Sequence, residues 1–489
     1  MAGSRGAERI LNDDKTQFQK EQNDLLKFVL NERWFKPWSL PSQQGDREGL
    51  DFTLYPESKL EIYVTAVCNQ HCEYCYLVKN AKGLYPREYD KKETILKNLE
   101  KLYDWVIENN YTIPSVEFFS GEIWHNEYGL EVLDISLAAL KRGMQVDQWL
   151  IPSNCSFVLD KNQTARIQKR IDAFMGMGSP LVFSISIDGG PVENQIRGLN
   201  NGVQKSDEFY DDLFTFAQHN NFNFHPMVAA CDIDKWIENY IWWEDMCAKY
   251  DIDIERRVMM LEVRNNDWTP EAIEHYNKFM NALLLKRYKS VGESGEALAK
   301  DLFCIDGCGL HGYVPYAPAV CDTFAGCTVC NSLTVRLGDM AICPCHRTAY
   351  NKLLYGWFQQ DEEGNITDII ANNPQMAVRI LMSNFNITSF KCDTCPFSYV
   401  CIKGCYGAQF EEEQDPFMPI EGVCNFFKQK WINLIHQYEK YGVIDYLQTV
   451  PPYTEAFERV QEFLNYVREV KMYEMGLSVH TISIRDCLD

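Results

Sequence analysis

Residues 59–75 read KLEIYVTAVCNQHCEYC, a β-rich run closed by three cysteines spaced CxxxCxxC. The Ile, Tyr, Val and Thr content favours a strand, and the cysteine loop begins directly at its C-terminal end. Thiolates from Cys68, Cys72 and Cys75 can hold three corners of a 4Fe–4S cube and leave the fourth iron open to another ligand. Zinc is the competing use of such a loop, but it requires a fourth donor. His71 is at hand, although its place inside the loop makes simultaneous coordination awkward.

Outward from this motif, residues 58 to 290 alternate short β-rich runs with amphipathic stretches, the pattern of a parallel β/α unit. Strands are expected near 59–67, 114–119, 146–152, 181–187, 223–229 and 257–263. Helices are expected near 91–110, 128–142, 162–176, 207–219, 234–249 and 270–289, several opened by an Asp, Asn or Thr cap. Six strands suggest an α/β fold of the partial (β/α)6 TIM type, whose functional groups gather just after strand C-termini.

With the cysteine loop in that position, and Tyr74 before its last cysteine, the segment resembles the radical S-adenosylmethionine superfamily. The resemblance implies that the open iron chelates the amino and carboxylate groups of S-adenosyl-L-methionine, and that the reduced cluster cleaves the cofactor to a 5′-deoxyadenosyl radical. Further matches follow in order. Ser120, Gly121, Glu122 and Ile123 resemble the family's Gly-Gly-Glu-Pro segment, which holds the methionyl amino group; the first Gly and the Pro are replaced. Ser153 and Asn154 stand where the family places polar groups against the ribose. Ser184 to Gly189 resembles Ser-x-Asp-Gly, which makes Ser186 a cofactor contact, and Arg197 lies where an arginine commonly meets the cofactor carboxylate. Leu261, after the sixth strand, is expected near the adenine.

Nineteen cysteines without an export signal point to metal or cluster ligation more than to disulfides. Twelve of them fall between 304 and 424. Cys321, Cys327, Cys343, Cys392, Cys395, Cys401, Cys405 and Cys424 supply eight thiolates, enough for two cubes or for two zinc sites. Their order, with Gly338 ahead of Cys343 and a CxxCxxxxxCxxxC run at 392–405, resembles the SPASM domain. That resemblance implies two auxiliary 4Fe–4S clusters, three clusters in all. Cys321, Cys327, Cys343 and Cys405 would hold the first, and Cys392, Cys395, Cys401 and Cys424 the second. Cys330, Cys345, Cys304 and Cys308 are surplus, and Cys155, Cys231, Cys247 and Cys487 read as structural.

The expected organisation is an N-terminal extension at 1–57, a barrel at 58–290, a loop-rich SPASM domain at 291–424 and a helical tail at 425–489. A net charge of −22 opposes binding to nucleic acid or an anionic membrane. No signal peptide or membrane span is visible, so the chain reads as cytoplasmic. The resemblance implies a ribosomally made peptide or a protein as substrate and a flavodoxin- or ferredoxin-type reductant; since residues 1–57 are too short and too poor in strands for a complete leader-gripping module, leader binding falls either to a separate leader-binding protein or to the barrel and tail. Related sulfatase-maturating enzymes place an Asp directly after the cysteine that corresponds to Cys343. Pro344 stands here, which favours a peptide maturase installing a thioether or carbon–carbon crosslink over a formylglycine-forming enzyme. A noncatalytic zinc or iron–sulfur scaffold is the alternative of a different class. Cys345, Asp322, Glu262 and Tyr406 are candidate acid/base or redox residues.

Overall fold

The computed structural model describes residues 4–30, 59–86, 89, 91–119, 121–125, 128–190, 197, 206–302, 332–378, 392, 395, 397 and 404–450. They fall into two compact units: 1–186 with 194–223 and 328–386, and 187–193 with 224–327 and 387–489.

The first unit opens with helix α1 (Ser4–Leu30) and continues through β1 (Lys59–Tyr63), α2 (Tyr76–Leu84), α3 (Lys92–Glu108), β2 (Thr112–Phe119), α4 (Tyr128–Lys141), β3 (Gln145–Ser153), α5 (Lys161–Gly176), β4 (Leu181–Ile185), α6 (Asp207–Gln218) and β5 (Asn221–Phe224). Strand and helix alternate as the sequence periodicity predicts. Local chemistry fixes several boundaries. Asp160 accepts from the backbone of Asn162 and Gln163 at 2.9 and 3.0 Å and so caps α5. Ser206 caps α6 by accepting from Phe209 N at 3.1 Å.

In the second unit stand β6 (Met227–Val228), α7 (Trp236–Lys249), α8 (Ile254–Arg257), β7 (Leu261–Glu262), α9 (Pro270–Ser290) and α10 (Gly295–Leu302). Thr269 caps α9 and Pro270 occupies its first turn, where a missing N–H is harmless. Strands β6 and β7 pair in parallel, and Phe224 bridges to Val258 in the same sense. The chain then contributes β8 (Ser332–Arg336), β9 (Ala341–Cys343), β10 (Gly356–Gln360) and β11 (Ile366–Ala371) to the first unit, and α11 (Tyr406–Glu413), α12 (Glu421–Lys440) and α13 (Val443–Leu447) to the second.

The nine-stranded sheet runs β11-β10-β9-β8-β1-β2-β3-β4-β5, parallel from β8 to β4 and antiparallel from β8 to β11. At its centre β1 is buried along both faces, as inner parallel strands are. One face carries Ile62 opposite Phe118, and Phe118 stacks on Trp149, which also meets Tyr103 of α3 and Phe174 of α5 edge-on. The opposite face carries Glu61 and Tyr63, opposite Glu117 and Phe119. Edge strand β11 is covered by α1: Gln19 donates to the Ala371 carbonyl at 3.0 Å, and Ala371 N donates to Asn23 at 2.8 Å. An ion pair joins Lys27 to Asp368. This satisfies polar groups that an open sheet edge leaves unpaired.

Truncating Trp149 to Ala, which removes the ring shared by β2, β3, α3 and α5, should cost about 3–5 kcal/mol. A large fall in the thermal midpoint checks this; an unchanged midpoint would mean that the aromatic layer is not the core of this unit.

Candidate active site

The site begins where β1 and β2 end. Their parallel ladder continues past both strands: Val64 N donates to Phe119 O at 3.1 Å, Gly121 N to Thr65 O at 2.7 Å and Glu122 N to Val67 O at 2.8 Å. These bonds lay residues 121–122 along the segment that leads into Cys68. A side chain at 121 has no room, since a Cβ there would sit 2.2 Å from the Val67 carbonyl oxygen. Glycine is therefore required by close backbone approach.

Beyond this point the loop holds Cys68 and Cys75 half-buried and Cys72 buried. Gln70 N donates to Cys68 Sγ at 3.3 Å, and Cys75 N donates to the Cys72 carbonyl at 3.0 Å. Burial first, then the neighbouring Glu122 and the other two thiols, pushes Cys68 up to about 12, so binding a metal there displaces a proton. Among the described residues, no three His, Cys, Asp or Glu side chains stand close enough together to grip one metal ion. A cube gives each thiolate its own iron, and its ligands stand wider apart than those around a single ion.

Glu122 is 1% exposed. Among the described residues its three hydrogen-bond donors are all neutral: Ser153 Oγ at 3.0 Å, Asn154 N at 2.8 Å and Trp124 N at 3.4 Å. Desolvation outweighs these bonds and raises the carboxyl to about 7. The same residues tie β3 to the cysteine loop, because Asn154 Nδ2 donates to Asn69 Oδ1 at 2.7 Å and Asn69 Nδ2 to Ser156 Oγ at 2.8 Å. Ser186 N reaches the Ser153 carbonyl at 2.8 Å. The Arg197 guanidinium lies 5.7 Å from the Tyr74 ring centroid, within cation–π range of the loop. A buried carboxylate satisfied by neutral donors, a cysteine loop and an arginine thus meet within one unit. They suit a ligand that carries both an amino and a carboxylate group.

The remaining sequence-derived residues are spread more widely. Leu261 and Glu262 form β7 in the second unit. Glu262 is paired with Lys430 of α12 at 2.5 Å and accepts from Tyr276 at 2.7 Å. Burial acts to raise Glu262, but this cation and the hydrogen bonds hold it below the usual carboxylate range. It ties α9 and α12 to β7. Tyr406 opens α11 and packs edge-on against Phe417. Cys392, Cys395, Cys405 and Cys424 belong to the second unit, all half-buried. Cys395 N donates to the Cys392 carbonyl at 3.2 Å, Cys405 precedes α11, and Cys424 lies in the first turn of α12. Gly404, just before Cys405, has φ +81°, a left-handed conformation that favours glycine.

Cys343 ends β9 in the first unit, fully buried among Tyr63, Leu77, Leu84 and Ala349 with Cys75 packed against the same cluster. Cys345 is buried two residues on, its backbone N held by Thr348 Oγ1 at 2.8 Å. Ser120, Cys321, Asp322, Cys327 and Cys401, with Cys304, Cys308, Cys330 and Cys487, lie outside the described residues. Sequence reading missed Asn69 and the carboxylate of Glu61. For Glu61 the signal was present, a charged residue amid the apolar positions of a central strand.

No family model matches this chain, and no curated protein does. Solved structures do. The chain is similar to polyhistidine-tagged anSMEcpe, an anaerobic sulfatase maturase, with bound AdoMet, at 12% identity and a TM-score of 0.52 over 83% of this chain and 99% of that one. It is also similar to native anSMEcpe with bound AdoMet and Cp18Cys peptide, at 12% identity and a TM-score of 0.50 over 78% and 99%. Streptococcus suis SuiB bound to S-adenosylmethionine gives 15% identity and 0.42 over 75% of each chain. The chain shares the α/β fold of anSMEcpe.

Because the folded carboxyl of Glu122 is raised, the folded protein binds more protons than the unfolded chain between about 4.5 and 7. Its ligand-free stability therefore declines as pH rises through that window, by up to about 3 kcal/mol. Glu122→Gln should raise the thermal midpoint of ligand-free protein above pH 7. A calorimetric midpoint that falls on this substitution would contradict the assignment.

Proposed function

We propose that this chain, which shares the α/β fold of anSMEcpe, is a radical S-adenosylmethionine enzyme that modifies a peptide or protein substrate oxidatively. The observation that carries the reading is Glu122, a buried carboxylate held by neutral donors and laid by backbone hydrogen bonds against the loop of Cys68, Cys72 and Cys75.

A 4Fe–4S cluster held here with S-adenosylmethionine would supply radical hydrogen-abstraction chemistry. The chain's own residues prepare for that chemistry. Cys68, Cys72 and Cys75 are the proposed cluster ligands, and Glu122 would accept from the methionyl amino group. Ser153 and Asn154 fix the Glu122 carboxylate, while Ser186 and Arg197 complete the polar rim. Burial excludes water from the carboxylate, so its bonds act in a low dielectric.

Two auxiliary clusters, one from Cys321, Cys327, Cys343 and Cys405 and one from Cys392, Cys395, Cys401 and Cys424, would carry away the electron that an oxidised product releases. A flavodoxin- or ferredoxin-type protein would serve as reductant. A peptide is supported as substrate by the neighbour solved with Cp18Cys peptide. Pro344 after Cys343, where sulfatase maturases carry Asp, favours a thioether or carbon–carbon crosslink over formylglycine.

Anaerobically reconstituted protein should contain about twelve irons and sulfides per chain and form 5′-deoxyadenosine from S-adenosylmethionine with dithionite. Replacing Cys68, Cys72 and Cys75 together by Ala should leave about eight irons and no 5′-deoxyadenosine. Stoichiometric zinc, or iron with no cleavage of the cofactor, would defeat the proposal.

A further inference from the structure

The face of the sheet that carries Tyr63 and Phe119 also holds an unassigned pair. Glu61, at the middle of β1, is 1% exposed and sits between Thr334 of β8 and Glu117 of β2 in register. One of its oxygens, Oε2, accepts three bonds: from Thr334 Oγ1 at 2.6 Å, from His346 N at 3.0 Å and from His346 Nδ1 at 3.2 Å. His346 is thus gripped at both backbone and ring. Its imidazole lies flat on Phe119, with centroids 3.8 Å apart and planes 6° from parallel, and Tyr76 stands 5.8 Å away.

Those two rings place the imidazole. Phe119 ends β2, two residues before Gly121, and Tyr76 directly follows Cys75. The pair lies on the strand that feeds the cysteine loop, and its His side chain is still 21% exposed. With Nδ1–H directed at a carboxylate, a neutral imidazole keeps Nε2 as an acceptor. Other charges face the pair. Lys59 offsets Glu117 through an ion pair at 2.7 Å. The Arg347 guanidinium lies over the Tyr76 ring, 5.3 Å from its centroid. Burial would raise Glu61, but His346 and the bond from Thr334 hold it below the usual carboxylate range.

We propose that Glu61 and His346 form the proton-transfer dyad of this site, His346 Nε2 taking a proton from the bound substrate and Glu61 acting as the positioning residue. In that step a substrate X–H bond breaks, its electron pair stays on X, and imidazole becomes imidazolium beside the Glu61 carboxylate. No electron leaves in the step, so no further reactant is needed. The substrate role rests on the radical-enzyme reading, whereas the dyad itself is tested without it.

The test uses diethyl pyrocarbonate, which acylates unprotonated imidazole, on cluster-loaded full-length protein across a pH series, with peptide mass spectrometry reading His346 alone. His346 should be modified, and Glu61→Gln, which removes the carboxylate at 3.2 Å from Nδ1, should move the midpoint of that modification to lower pH by about one unit, a tenfold change in proton affinity. Glu61→Asp, which withdraws the carboxylate by one methylene, should lower it less and provides the measurement if the Gln variant loses its cluster absorbance. A His346 that resists the reagent at every pH while other histidines react, or a midpoint unmoved by either variant, would overturn the dyad. Wild-type protein that forms no 5′-deoxyadenosine, with the midpoint shift intact, would overturn the substrate role and leave the pair structural.

Discussion

The ladder that carries β1 and β2 beyond their ends is the constraint on which the site depends. Hydrogen bonds from Gly121 and Glu122 to the carbonyls of Thr65 and Val67 hold two chain segments, each leaving the sheet, within backbone contact. Only glycine at 121 permits it. Parallel strands point their C-termini the same way, so the cysteine loop after β1 and the carboxylate after β2 emerge at one edge, and the ladder fixes their spacing. Ser153 and Asn154 at the end of β3 then close on the same carboxylate.

Three buried glutamates show how the fold uses the cost of desolvation. Glu262 meets a cation, Lys430, and a phenol, and so joins a tail helix to the second unit; removing either partner of such a pair leaves an uncompensated charge. Glu61 meets His346 and Thr334, a pairing whose charge depends on the imidazole. Among the described residues Glu122 meets neutral donors alone, and its carboxyl is raised to about 7. Of the three, Glu122 is the one whose burial calls for an incoming ligand, which is the usual signature of a functional carboxylate.

Much of this was legible in the sequence because the relevant signals are local. Alternating apolar periodicity located β1 to β4 and helices α3 to α7, and CxxxCxxC after the first strand marked the loop. Gly121-Glu122 stood out despite the loss of the flanking Gly and Pro, and backbone hydrogen bonds lay these two residues along the segment that leads into Cys68. What was not legible depends on pairing over long distances in the chain. His346 is 285 residues from Glu61, and nothing in CPCHRT announces that its imidazole will lie on Phe119. Likewise Glu262 reads as a candidate acid until Lys430, 168 residues away, is seen beside it. The addition of β8 to β11 to the far side of β1 is of the same kind, with no periodic signal at the level of the strands themselves.

The most direct test of the central claim is electron paramagnetic resonance on dithionite-reduced protein, with and without S-adenosylmethionine. If Cys68, Cys72 and Cys75 leave one iron open beside Glu122, the reduced-cluster signal should change its g values when the cofactor is added, and in Glu122→Gln the same change should require about tenfold more cofactor or greater. A reduced-cluster spectrum indifferent to S-adenosylmethionine, in protein whose three loop cysteines are intact, would contradict the account.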